Sequence, residues 1–133
     1  MFRISRFLIP FLLLFLLLPM VCFSASSQQV TASQLVGLWA LHGTARKIDG
    51  DINRENQTWE FRSDGTLKSV ALDRRADGEI TLTVKYKIEN NMLYVQRAGS
   101  KTRWNRFQVV KVADDQLILK GGIEGYMFFN RKR

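Results

Sequence analysis

The chain has 133 residues, with 20 Lys and Arg against 12 Asp and Glu, a formal net charge of +8, one cysteine and one histidine. A single cysteine excludes an intramolecular disulfide. A single histidine excludes a two-histidine metal site, and neither a metal nor a cofactor is expected.

The first segment carries Arg3 and Arg6, then an apolar run from Phe7 to Leu18 interrupted by Pro10 and ended by Pro19. Ser24, Ala25, Ser26 and Ser27 follow. A positive start, a short apolar core and a small-residue exit predict a signal peptide over 1–24, cleaved after Ser24 or Ser26. A retained anchor is the competing reading, but a spanning helix wants about 20 predominantly apolar residues. The stretch from Phe7 to Phe23 falls a little short of that and contains two prolines, Pro10 and Pro19. Cys22 stands where a lipid-modified cysteine would, but Val21 precedes it instead of a small residue, which favours ordinary cleavage. The expected destination is the periplasm or the outside of the cell.

Without Arg3 and Arg6 the rest is still basic, and its length suits one domain, not two. A cationic exported domain associates with polyanions such as lipopolysaccharide, teichoic acid or anionic lipid head groups. Charge that only keeps the domain soluble is the plain alternative. Export argues against a nucleic-acid partner.

Residues 25–36 read as a polar tether followed by a helical turn over Thr31–Val36, with Thr31 or Ser33 as its N-cap. From Gly37 the pattern becomes that of strands, at 38–45, 57–62, 66–72, 80–88, 92–97, 103–112, 116–120 and 125–131. The clearest is Ile80–Ile88, where Ile80, Leu82, Val84, Tyr86 and Ile88 alternate with Thr81, Thr83, Lys85 and Lys87. That period of two predicts one face against a core and one in water. Turn signals separate the strands, among them Ser63-Asp64-Gly65, Ala76-Asp77-Gly78, Glu89-Asn90-Asn91 and Gly121-Gly122. Eight strands in hairpin order predict an all-β fold, a single antiparallel up-and-down barrel over 37–133, because closure removes exposed edges. A two-sheet sandwich is the alternative.

Leu35-Val36-Gly37-Leu38-Trp39 resembles the G-x-W opening of small bacterial lipocalin-like domains of the calycin superfamily. Trp59-Glu60-Phe61 with Asp64-Gly65-Thr66 resembles their second hairpin, and Leu117–Lys120 with Tyr126–Arg131 their closing one. The resemblance implies that Trp39 seals the base of the core and that a cation near the last strand covers it. Arg131 is the expected partner, ahead of Lys132 and Arg133. The chain has no second motif of the T-D-Y type and no paired cysteines, which implies a small or self-filled cavity.

Little points to catalysis. His42 could act as a base oriented by Asp49 or Asp51, but it reads better as an exposed strand residue. Asp64, Asp77, Asp114 and Asp115 fall in turns, where carboxylates accept local backbone bonds. Asp49 to Glu55 lacks the register of a calcium loop. Asn56-Gln57-Thr58 is a formal glycosylation sequon. Trp39, Trp59, Phe61, Tyr86, Trp104, Phe107, Phe128 and Phe129 read mostly as core.

The functional reading is that Trp59, Phe61, Leu82, Val84 and Tyr86 line a pocket for a small hydrophobic or amphipathic ligand. The loop from Arg46 to Asn56 reads as a lid. Arg103, Trp104 and Arg106 form a candidate patch for an anionic glycan or lipid head group. An exported, non-enzymatic ligand binder is therefore the first expectation. The second is a protein-binding module, a hydrolase inhibitor or envelope-assembly factor, with a filled barrel and working loops at 46–56 and 97–103.

Overall fold

The computed structural model describes residues 29–73, 75–123 and 125–133. The predicted signal segment, and Cys22 with it, lies outside the described residues.

A four-residue helix α1 (Ala32–Leu35) leads into β1 (Gly37–Ala45), β2 (Asn53–Phe61), β3 (Thr66–Asp73) and β4 (Gly78–Glu89). Then come β5 (Met92–Gln96), β6 (Trp104–Val112), β7 (Gln116–Gly121) and β8 (Gly125–Lys132). Every strand pairs antiparallel with its chain neighbours, and β1 pairs with β8, giving a closed up-and-down barrel. The turns carry out what their residues predict. Asn90 and Asn91 both take positive φ, 51° and 61°, as a two-residue hairpin turn requires. The Asp64 carboxylate accepts from the Thr66 amide at 2.9 Å and the Thr66 hydroxyl at 2.6 Å.

Thr31 is the N-cap of α1, and its amide donates to Gln34 Oε1 at 3.0 Å. The helix closes the end of the barrel where β1 begins, which is the foot. Leu35 is fully buried there, and its carbonyl accepts from Trp39 Nε1 at 2.8 Å. The Arg131 guanidinium lies over the Trp39 ring, 4.2 Å from its centroid. Gly37 sits at φ +136°, and a Cβ on it would come within 2.6 Å of Arg131 Nη1. Glycine at this point therefore satisfies both the backbone and the stacked cation.

The core fills the foot half. Trp59 packs against Phe61, Phe107 and Phe129 at centroid distances of 6.1, 6.0 and 5.0 Å, and Phe61 meets Tyr86 edge-on at 5.0 Å. Leu41, Leu67, Leu93, Leu117, Leu119 and Met127 complete it.

Three expectations need correction. Asn53–Asn56 are not loop but the start of β2, paired through Asn53 with Thr44 and Arg54 with Gly43. They lie where both faces of the sheet meet water, so no apolar alternation marks them. Trp104 and Phe128 are only partly buried and lie off the inner face. Trp104 pairs with Gln96, three residues before the buried Phe107, and Phe128 with Ile118, one residue before the buried Phe129, so strand alternation turns both to the opposite face. Finally, the apolar face of Ile80–Ile88 is not uniformly covered. Tyr86 is buried, but Leu82 is 39% exposed and Ile80 57%. The cause is unequal strand length: β5 has five residues against twelve in β4, and pairs only with Tyr86–Glu89.

Candidate functional site: the barrel mouth

The odd-numbered connections, β1–β2, β3–β4, β5–β6 and β7–β8, all fall at the end opposite α1. Because β5 stops early, the wall is open on one side of β4 near this end, and a cavity of about 260 Å³ occupies the opening. Trp59, Leu67, Leu82, Val84, Val95 and Phe107 give it an apolar lining. Gln57, Ser69, Gln96, Arg97 and Asn105 supply the polar groups. Trp59, Ser69 and Leu82 stand opposite one another across β2, β3 and β4, so register alone puts them side by side. Arg97 Nε donates to Asn105 Oδ1 at 2.9 Å, which holds the guanidinium at the rim. A broader depression of about 490 Å³ shares Arg97, Asn105 and Phe107 and runs toward Gly121 and Ile123.

Of the five residues expected to line a pocket, Trp59, Leu82 and Val84 do so. Phe61 and Tyr86 lie deeper, as packing. The Tyr86 hydroxyl donates to the Arg62 carbonyl at 2.8 Å, and burial, with some help from the Asp64 charge, pushes the phenol above its ordinary range. Val95, Arg97, Asn105 and Phe107 were not expected at this site. One signal was available: the candidate strand at 92–97 is shorter than the one at 80–88, so it cannot cover all of it.

Trp59 carries the one buried side-chain polar atom among the described residues that has no hydrogen-bond partner, its Nε1. The other two buried polar tips of the aromatic core are satisfied, Trp39 by Leu35 and Tyr86 by Arg62.

The basic patch is differently composed from the expected trio. Trp104 and Arg106 are on β6, while Arg103 lies in the turn before it, where its amide donates to the Ser100 hydroxyl oxygen at 3.1 Å. Lys87 of β4 completes the surface, its Nζ 4.9 Å from the Trp104 ring and 5.4 Å from the Tyr94 ring. Sequence spacing could not bring Lys87 to Trp104, since β5 lies between their strands. His42 is exposed on β1, and Asp49 and Asp51 are exposed in the connection beyond it. No group of three or more His, Cys, Asp or Glu that could hold a metal occurs among the described residues.

Closed eight-strand meander, plugging helix and cation-covered tryptophan together make a lipocalin-like barrel fold. A lipocalin-like protein from Bacteroides uniformis has a similar structure, with a TM-score of 0.59 at 18% identity over 74% of this chain and 99% of that one. A second protein, uncharacterized, from Bacteroides eggerthii, gives 0.55 at 16% identity with the same coverage of 74% and 99%. No family model and no curated protein matches the chain.

Proposed function

We propose that the protein is an exported, non-enzymatic binding protein that takes a small hydrophobic or amphipathic molecule into the mouth of its barrel. One observation carries this reading: the cavity of about 260 Å³ with an apolar lining and a polar rim, formed where β4 outruns β5. Pockets for drug-sized ligands span roughly 300–1,000 Å³. This one is smaller, which suits a slender ligand or one chain of a larger amphiphile. The name of the Bacteroides uniformis neighbour supports only the fold.

The test is titration of the purified protein with anilinonaphthalene sulfonate, followed by displacement with a medium-chain fatty acid. Saturable single-site binding that Leu82→Asp abolishes is expected. Binding that ignores Leu82→Asp, or no saturable binding, would reject the mouth as the site. Export rests on the N-terminal sequence and is tested separately, by whether the protein recovered outside the cytoplasm begins at Ala25 or Ser27.

A second reading has its own support. Ile48 and Ile52 in the β1–β2 connection are 54% and 45% exposed, a feature of a protein-binding loop. The Lys87, Trp104 and Arg106 surface suits an anionic glycan or lipid head group as an accessory contact.

A further inference from the structure

The part of β4 that outruns β5 has one bonded edge and one open edge. Against β3 its ladder is unbroken, from Thr66 opposite Lys85 to Asp73 opposite Gly78. The Tyr86 amide donates on that side, to the Gly65 carbonyl at 3.0 Å, whereas the Lys85 amide points the other way and donates to Gln96 Oε1 at 3.3 Å. Backbone direction alternates along a strand, so Glu79, Thr81 and Thr83 turn their amides and carbonyls away from β3, as Lys85 does. Among the described residues no strand pairs with that edge. The β5–β6 connection stands off across the mouth cavity, with Leu82 and Val84 on one side and Arg97 and Ala98 on the other. Natural sheets blunt such edges with proline, bulges or inward-pointing charges. This segment has none of them. Ile80, Leu82 and Val84 share the face of the buried Tyr86, and Ile80 and Leu82 are 57% and 39% exposed.

We propose that this edge joins the same edge of a second copy of the chain, antiparallel, in a two-fold dimer centred on Leu82. Leu82 is the midpoint of the open segment 79–85, so this register pairs the whole segment with itself. Thr81 then lies opposite Thr83 of the second copy, and the two exchange their open-side hydrogen bonds. Leu82 meets Leu82, and Ile80 meets Val84. Glu79 meets Lys85, an opposite-charge pair that the symmetry forms twice. Sliding one strand by two residues loses that match. One direction sets Glu79 opposite Thr83; the other sets it opposite Lys87, whose place beside Tyr94 of β5 is already taken. Joining like edges uses both up, so the assembly closes at two copies. A single strand pair is a small interface, so the dimer is weak and reversible.

The experiment is sedimentation equilibrium of the purified protein over a range of concentrations, with amide exchange followed alongside. A reversible dimer with micromolar dissociation is expected. Protection of the Thr81 and Thr83 amides should rise several-fold with concentration, a small effect beside that of the barrel ladder. Glu79→Lys and Lys85→Glu should each weaken association about tenfold, and the double variant should restore it. Both positions are exposed, and circular dichroism checks that each variant keeps the fold. Thr83→Pro, which removes an open-side donor, should abolish the dimer. A monomer at every concentration would overturn the proposal. So would a dimer indifferent to the single charge variants, or a double variant no tighter than the singles, since either puts the contact elsewhere or in another register. Assemblies larger than two would overturn the closed symmetry. Amides protected equally at every dilution would assign the edge to the chain's own N-terminal segment instead.

Discussion

Arg131 links the last strand to the segment before the first. Its Nε donates to the Asp114 carbonyl at 2.6 Å, its Nη1 to Val36 and its Nη2 to Gln34, both at 3.0 Å, while the plane covers Trp39. Carbonyls at the end of α1 and beside it, which the short helix cannot satisfy internally, thus find donors. Arg131→Ala is expected to cost about 2–3 kcal/mol in urea unfolding, since charge-assisted bonds and a stacked cation are lost together. Arg131→Lys should recover less than half, because an ammonium cannot reproduce the planar fork. Gly37→Ala should lose at least about 1 kcal/mol, through a backbone conformation closed to L-residues and a clash with the same guanidinium.

Tyr86 makes a pH prediction. Its phenol titrates above the ordinary 10.0 because burial disfavours the charged form. A raised folded-state value means that its stabilising contribution is complete below the unfolded value and fades as pH climbs through the folded one. The wild-type urea midpoint should therefore fall more steeply above pH 10.0 than that of Tyr86→Phe. At neutral pH that variant should cost about 1 kcal/mol for the bond to the Arg62 carbonyl.

Among the elements, β4 behaves as two pieces. From Tyr86 to Glu89 it pairs with β5, and from Gly78 to Lys85 it pairs with β3 alone. Amides of 79–84 that point away from β3 should exchange with solvent well before those of the β1–β8 ladder, as followed by hydrogen-exchange NMR. Leu82 belongs to the open half, so Leu82→Ser should change stability by no more than about 0.5 kcal/mol. Its effect should appear instead as weakened binding of anilinonaphthalene sulfonate. On β1, the register slips between Leu41 and Gly43 against both neighbouring strands. A Cβ on Gly43 would strike the Ile52 side chain and approach the Asn53 carbonyl to 2.8 Å. The bulge and its glycine thus bring the β1–β2 connection close over the strand.

Across the whole molecule, packing is graded from foot to mouth. The foot has a helix, a buried tryptophan and closely spaced rings; the mouth has a cavity and exposed isoleucines. Phe129 is fully buried and touches Trp59, so Phe129→Ala should cost about 3–5 kcal/mol. The stable half can then tolerate an incompletely covered half, which is the arrangement a binding site needs.

The sequence by itself determined the strands, their hairpin order and the closure of the sheet, because alternation and turn chemistry are local and a meander leaves few ways to hide its edges. It also marked Gly37, Trp39 and Arg131 through a resemblance. Only the tertiary structure decided which apolar faces are covered. Ile80, Leu82 and Tyr86 share one strand face and one pattern, yet differ in exposure because a neighbouring strand ends beside Tyr86. The same holds for the unpaired Trp59 Nε1 and for Lys87 against Trp104, since partners brought together across strands leave no trace in local spacing.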